Sequence, residues 1–274
     1  MTVSALALAL ASKNTTLLAE CDPAGGTIRT GYLQGSLSAG FGLSHLAAAD
    51  RIGPAHLANA FASHLWAMDE AGYRKVLPGL TDPTQAASLA GTWGNLAELL
   101  DGMTEEGGHE VYVDAGRLVF DAGRLHPTLT PAPLLHRADL VLMVVRSDDR
   151  SLSLAHHLIK PLRAELQEHG NGSDALGLLV IEGGPYRTHQ VAAALQTPVV
   201  AGLPWDAETA AYLSGGGTPP RGYAHSPLLR SARTASEEIS AAASTRHTQQ
   251  KYSPQPNGVL QRLTHPSRGG QSHG

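Results

Sequence analysis

The chain has 274 residues, 42% of them hydrophobic and 5% aromatic, with a formal net charge of −4. That length holds one large domain or two small ones, and the hydrophobic share supports a core of small and branched aliphatic residues. The charge argues against a generally basic nucleic-acid binder, although a local basic patch remains compatible with it. A single cysteine, Cys21, excludes an intrachain disulfide framework and suits a reducing cytoplasm.

"MTVSALALALASK" opens the chain on an apolar helical pattern. It does not read as a secretory signal, because no Lys or Arg precedes the apolar run and a strand follows directly. No run of about 18 apolar residues occurs, so no membrane span is expected. Thr15–Glu20 ("TTLLAE") predicts a buried strand running into "CDPAGG". A helix is expected over Pro54–Trp66 and a short strand over Tyr73–Gly79. Asp82 reads as an N-cap ahead of Pro83, with a helix to about Leu100. "HEVYVDAG" predicts a strand ending on Asp114, and Ala138–Arg146 a strand apolar enough to be covered on both faces. Then follow a helix over Arg150–His169, a strand over Ala175–Ile181, a helix over His189–Leu195, a strand over Pro198–Leu203 and a helix from Asp206. This alternation predicts an α/β fold with a doubly wound, mostly parallel sheet and helices on both faces.

The organisation that follows is an α/β domain over residues 1–213, a Gly/Pro-rich loop over 214–224, a C-terminal helix over 225–243 and a tail over 244–274. The tail has no Asp or Glu, contains Arg246, Lys251, Arg262 and Arg268, and reads as disordered.

Ligands of open α/β sheets bind beyond the carboxyl ends of the strands. The residues delivered there are Glu20, Cys21 and Asp22, then Asp114 with Ala115 and Gly116, then Glu182, and finally Pro204, Trp205 and Asp206. Two carboxylates on different strand ends suit a hydrated Mg²⁺ that faces phosphates. Each Asp alone reads more readily as a turn or cap residue.

The order of the pieces adds to this. "TVSALALALA", "ECDPAGG", "VLPGLTDP", "VDAGR", "ADLVLMVV" and "LPWDAETAAYLSGG" occur in sequence over roughly Met1–Leu213. In that order they resemble the ParA/MinD family of P-loop ATPases, which partition chromosomes or plasmids and position division machinery. The resemblance implies ATP and Mg²⁺ as cofactors and a homodimer or a protein partner. It implies Asp22 as the switch aspartate that positions the attacking water, with Glu20 where the turn's first Asp is usual. It implies Asp114 as a Mg²⁺ ligand through water, Thr2 as a direct Mg²⁺ ligand, and Thr2, Val3 and Ser4 as phosphate-side residues. Pro204 and Asp206 match the loop beside the adenine, and Glu182 falls near a base-recognising Asn.

The chain also departs from that pattern. Met1 stands where the P-loop lysine is aligned, and the phosphate-cradling glycines and first strand of the family have no counterpart. That cradle and lysine carry most of the charge complementarity to phosphates, so weak or absent ATPase activity is expected. Loss of an interior strand would leave two rows of unpaired backbone groups. The sheet could close around the gap, a partner could supply a strand, or coding for a Gly-rich turn and strand could lie upstream of Met1. The last is the expected resolution, with Val rather than Lys at the lysine position. Two functions follow: a nucleotide-dependent partitioning or positioning protein, or a non-catalytic adaptor binding a partner through the same face.

Other chemistry finds less support. Fourteen histidines, His56, His64, His156 and His157 among them, form no HExxH or Cys/His pattern. Neither a GxSxG elbow nor a Rossmann GxGxxG after a strand occurs. Arg221, Arg230 and Arg233, with the tail, offer a non-specific phosphate contact to DNA.

Overall fold

The structure, a computed structural model, describes residues 1–38 and 40–252. In chain order its elements are α1 (Thr2–Ala11), β1 (Thr16–Glu20), α2 (Leu43–Asp50), α3 (Pro54–Phe61), β2 (Trp66–Ala67), β3 (Arg74–Leu77) and α4 (Trp93–Glu105). They continue with β4 (Glu110–Asp114), the small hairpin β5 (Phe120–Asp121) and β6 (Arg124–Leu125), α5 (Ala132–Arg137), β7 (Val141–Arg146) and α6 (Asp149–His169). The last are β8 (Leu176–Glu182), α7 (Thr188–Leu195), β9 (Val199–Pro204), α8 (Ala207–Gly215) and α9 (Pro227–Tyr252).

The expected alternation of parallel strands and helices is present, and its cause is visible in β1. All five residues of "TLLAE" are buried, because β3 and β4 flank the strand in parallel and helices cover both faces. The sheet is divided, however. One half has the order β2-β3-β1-β4 and the other β7-β8-β9. Among the described residues no strand joins β4 to β7, so the sheet has not closed around a gap.

A cavity of about 1020 Å³ lies between the two halves. Every residue of β4 lines it, as do Val141 through Val145 of β7. A strand presenting a face to a cavity contributes alternate residues. Consecutive residues mean that both strands turn their edges toward it. α1 and the end of α9 wall the cavity on one side, and α4, α5 and α6 on the other.

Several boundaries differ from expectation. The helix expected over 54–66 stops at Phe61, and Trp66 instead pairs with Val76 in an antiparallel edge strand. Asp82 caps as expected, accepting the Thr84 N–H at 2.9 Å, but the following segment is a 3₁₀ turn over Pro83–Leu89. The chain turns at Gly91 so that Trp93, fully buried, enters the core at the start of α4. Helix α2, absent from the sequence reading, buries Leu43, Leu46 and Ala47.

The C-terminal helix also corrects the expected domain limits. It continues past residue 243 to Tyr252, so residues 244–252 are not a disordered tail. Arg246 is why: its guanidinium donates to the Asp139 and Asn171 carbonyls at 2.8 and 2.9 Å and pairs with Asp174 at 2.5 Å. Arg262 and Arg268 lie outside the described residues. The expected 214–224 loop starts later than predicted, because α8 runs to Gly215 and its Ser214 carbonyl packs against Gly31, where a Cβ would collide with it.

Candidate functional site

Strands β1 and β4 run parallel with Glu20 opposite Asp114, and the Cys21 N–H donates to the Asp114 carbonyl at 2.8 Å. The ladder thus continues one residue past the strand and sets Asp22 beside Asp114. Asp114 is 3% exposed. Its Oδ1 accepts the Gly116 N–H at 3.2 Å, while its Oδ2 is buried with no partner.

Asp22 is half-buried, and its Oδ1 accepts the Ala24 N–H at 2.8 Å in a tight turn. Burial pushes its carboxyl above the ordinary range, and the charge of Asp114 adds to this. The Ala24 hydrogen bond, Arg117 and the Met1 amino group pull the other way without prevailing. A raised folded-state pKa for an acid means stability is lost as pH rises from the unfolded value through the folded one. Asp22→Asn should therefore melt no differently from wild type near pH 3, below both values. It should gain a widening Tm advantage toward pH 7 in metal-free buffer, read by thermal melts across that range.

Gly116 makes the close approach possible. It has φ +70°, and a Cβ there would overlap Asp22 Oδ1. Gly116→Ala should destabilise the protein by roughly 1–3 kcal/mol in urea titrations, since backbone strain and a steric clash act together.

Glu20 has a different duty from the one its position in the switch turn implies. Its carboxylate is 1% exposed and accepts the N–H groups of Thr27 at 2.6 Å, Ile28 at 2.9 Å and Gly79 at 2.9 Å. Burial raises its pKa against those three hydrogen bonds, and Asp114 raises it further. The side chain binds the loop after β1 to the loop after β3 and has little room for a ligand. Arg29, 6% exposed, extends this scaffold by donating to the carbonyls of Leu37, Ser38 and Phe41.

At the start of α1, Met1 is the N-cap and no side chain caps the helix. Ser4, 7% exposed, lines the cavity together with Met1, Asp114 and Gly116. Thr2 and Val3 are half-buried in the same first turn and are not part of the cavity lining. Ser4 and Asp114 thus border one cavity, while Asp22 is not part of its lining and lies against Gly116.

Pro204 and Asp206 sit on the other half-sheet, at the end of β9. Pro204 pairs with Glu182. Asp206 caps α8, accepting the Thr209 N–H at 3.1 Å and hydroxyl at 2.8 Å, and it also accepts the Leu228 N–H at 3.3 Å. Burial would raise its pKa, but these hydrogen bonds outweigh it and hold the carboxyl low. Glu182 is exposed and accepts the Thr188 hydroxyl at 3.0 Å.

Two features of this rim escaped the sequence reading. Arg146 stacks on the exposed Trp205 ring at 4.1 Å. Buried Ser147 accepts the N–H groups of Gly183 and Gly184 at 3.3 and 2.9 Å through its hydroxyl. Neither pairing has a local signal, because each joins the ends of different strands.

Among the described residues no cluster of three or more His, Cys, Asp or Glu side chains is arranged to hold a metal. The site does fit a cation that keeps most of its waters. Asp114 Oδ2 is an orphaned buried acceptor, and the Asp22 carboxyl, whose ionisation burial disfavours, lies beside it. One or two carboxylates plus water is the usual Mg²⁺ environment. The phosphate side fits less well, since no cationic side chain occupies the start of α1.

No protein-family model and no curated protein sequence matches the chain significantly. Solved structures do. MinD from Pyrococcus horikoshii, complexed with Mg-ADP, is similar with a TM-score of 0.61 and 14% identity over 89% of this chain and 92% of that one. MinD from Aquifex aeolicus gives 0.59 and 13% over 88% and 89%. A ParA family ATPase from Chlorobium tepidum gives 0.58 and 13% over 86% and 91%. The fold is that of the MinD and ParA ATPases. Among the described residues, no helix is long and apolar enough to cross a membrane.

Proposed function

We propose that the chain is a partitioning or positioning protein of the MinD/ParA kind that responds to Mg²⁺-nucleotide and hydrolyses it weakly or not at all. The observation that carries this reading is Asp114, whose buried Oδ2 lacks a partner beside Asp22 at the carboxyl end of a parallel sheet. Asp114 and Thr2 would hold the metal, Asp114 through water, and Asp22 would orient the attacking water. Thr2, Val3 and Ser4 would meet the phosphates, with Pro204 and Asp206 near the base. MinD bound to Mg-ADP and a Cyanothece McdA variant bound to ATP share this fold, which supports the choice of ligand. The expected assembly is a homodimer or a complex with a protein partner.

The test is calorimetric titration of the full chain with ATP and ADP, with and without Mg²⁺. Binding should require Mg²⁺, and Asp114→Asn should weaken it about tenfold or more, as loss of a charged, buried interaction does. An unchanged affinity and Mg²⁺ dependence in that variant would remove Asp114 from the site.

Among the described residues no cationic side chain stands at the start of α1, which favours a second reading, a non-catalytic adaptor that binds a partner through the same face. Absence of binding at millimolar nucleotide would select it. Arg221, Arg230 and Arg233 are exposed, and the proposal extends to a non-specific DNA contact through them. Such a contact would weaken steeply with salt.

A further inference from the structure

Asp22 and Asp114 place two carboxylates where the proposed ligand would add the charge of its phosphates. Like charges at that range repel, so a cation of the chain belongs at this end of the sheet. Arg117 follows directly on Asp114, Ala115 and Gly116 and is exposed. It borders the same rim as Ser4, Asp114 and Gly116. Its charge reaches Asp22 and pulls that carboxyl's pKa down. Among the described residues, however, the guanidinium makes no ion pair and no hydrogen bond.

The backbone that carries Arg117 is fixed on both sides. Gly116 lies against Asp22, and its N–H donates to Asp114 Oδ1 at 3.2 Å. Leu118 packs on the core of the second half-sheet, and the Val119 N–H donates to the Thr130 hydroxyl at 3.0 Å. A free guanidinium on a pinned backbone loses little freedom on taking a ligand, which is the condition for a preorganised contact. An arginine that served only to neutralise Asp22 would close the ion pair, because hydrogen-bonded contact is the strong arrangement. Left open, the guanidinium keeps all its donors for a planar, bidentate contact with an oxyanion.

The placement of the strand ends decides which part of the ligand it meets. Pro204 and Asp206, near which the base is proposed, stand at the end of β9 in the second half-sheet. Asp22, Asp114 and Arg117 stand at the ends of β1 and β4 in the first. The phosphates farthest from the base therefore fall on the Arg117 side. We propose that Arg117 is the cationic contact for the phosphates beyond the first, acting with the metal held at Asp114. This assignment rests on the Mg²⁺-nucleotide reading, and its test separates the failure of one from the failure of the other.

The experiment is calorimetric titration of the full chain with ATP, ADP and AMP in Mg²⁺, for wild type, Arg117→Ala and Arg117→Lys. Wild type should bind ATP and ADP more tightly than AMP. Arg117→Ala should weaken ATP and ADP by about tenfold or more and leave AMP within about twofold, so that the preference for ADP over AMP collapses. Arg117→Lys keeps the charge without the fork and should recover part of the loss. Without ligand, both variants should melt as wild type does, since the side chain is exposed and unpaired. Failure of wild type to bind ATP or ADP at millimolar concentration would overturn the nucleotide reading and this assignment with it. Wild-type binding that Arg117→Ala leaves unchanged would overturn the assignment alone. An equal loss for ADP and AMP, or a lowered Tm without ligand, would also overturn it, because either makes Arg117 a structural neighbour of Asp22.

Discussion

Glu20→Ala is expected to cost the fold about 3–5 kcal/mol, a large part of the roughly 5–15 kcal/mol that holds a domain together. The carboxylate accepts three backbone N–H groups, from Thr27, Ile28 and Gly79. Alanine leaves all three without an acceptor in a site that is 1% exposed. An opposing effect exists, because the variant also removes a desolvated acid that Asp114 repels. Three stranded donors at roughly 1–3 kcal/mol each outweigh that relief. Glu20→Gln separates the two effects: its amide oxygen can still accept from Thr27 and Ile28, while its NH₂ meets the Gly79 donor. Urea titrations should therefore rank stability as wild type, then Gln, then Ala. A loss below about 0.5 kcal/mol for alanine would show that the three hydrogen bonds do not organise these loops.

Arg246→Ala should cost about 2–3 kcal/mol and free the last turns of α9. The salt bridge is the smaller contributor, because the Asp174 side chain is 75% exposed and solvent screens the pair. The larger one is the pair of hydrogen bonds to the Asp139 and Asn171 carbonyls from a side chain that is itself 11% exposed. Arg246→Lys retains the charge but not the planar fork, and it should recover less than half of the loss. The hydrogen bond from Arg246 lowers the Asp174 pKa, so this group's contribution is present above its unfolded value and disappears as pH falls through the folded one. Amide exchange over residues 240–250 reads the outcome. Unchanged protection there would mean that α9 is held by its apolar face alone.

How much of this could be read from the sequence depended on distance along the chain. β7 was legible because "LVLMVV" is a continuous apolar run, the pattern of a strand covered on both faces. Asp82 was legible as a cap because its acceptor and the Thr84 donor are two residues apart. Asp22 and Asp114 were legible as carboxylates delivered at different strand ends, and the parallel pairing of β1 with β4 is what sets the two ends side by side. The role of Glu20 did not, since one of its donors lies 59 residues away. Arg246 read as one charge of a polar tail because its partners are 107 and 75 residues distant. The break between β4 and β7 has no local signature either. Both strands have ordinary sequences, and it is the resemblance, which implied a lost interior strand, that agrees with the absence of a strand between them among the described residues.

The divided sheet also bears on how the molecule folds. One half draws all its strands from residues 16–114 and the other from residues 141–204, so each backbone ladder closes within its own stretch of chain. Hydrogen-bonded cooperativity ends at the cavity. What crosses it is side-chain packing, chiefly α1 lying against α9 and α9 against β9. Among the described residues the two halves are therefore coupled through this helix packing and not through a shared backbone ladder.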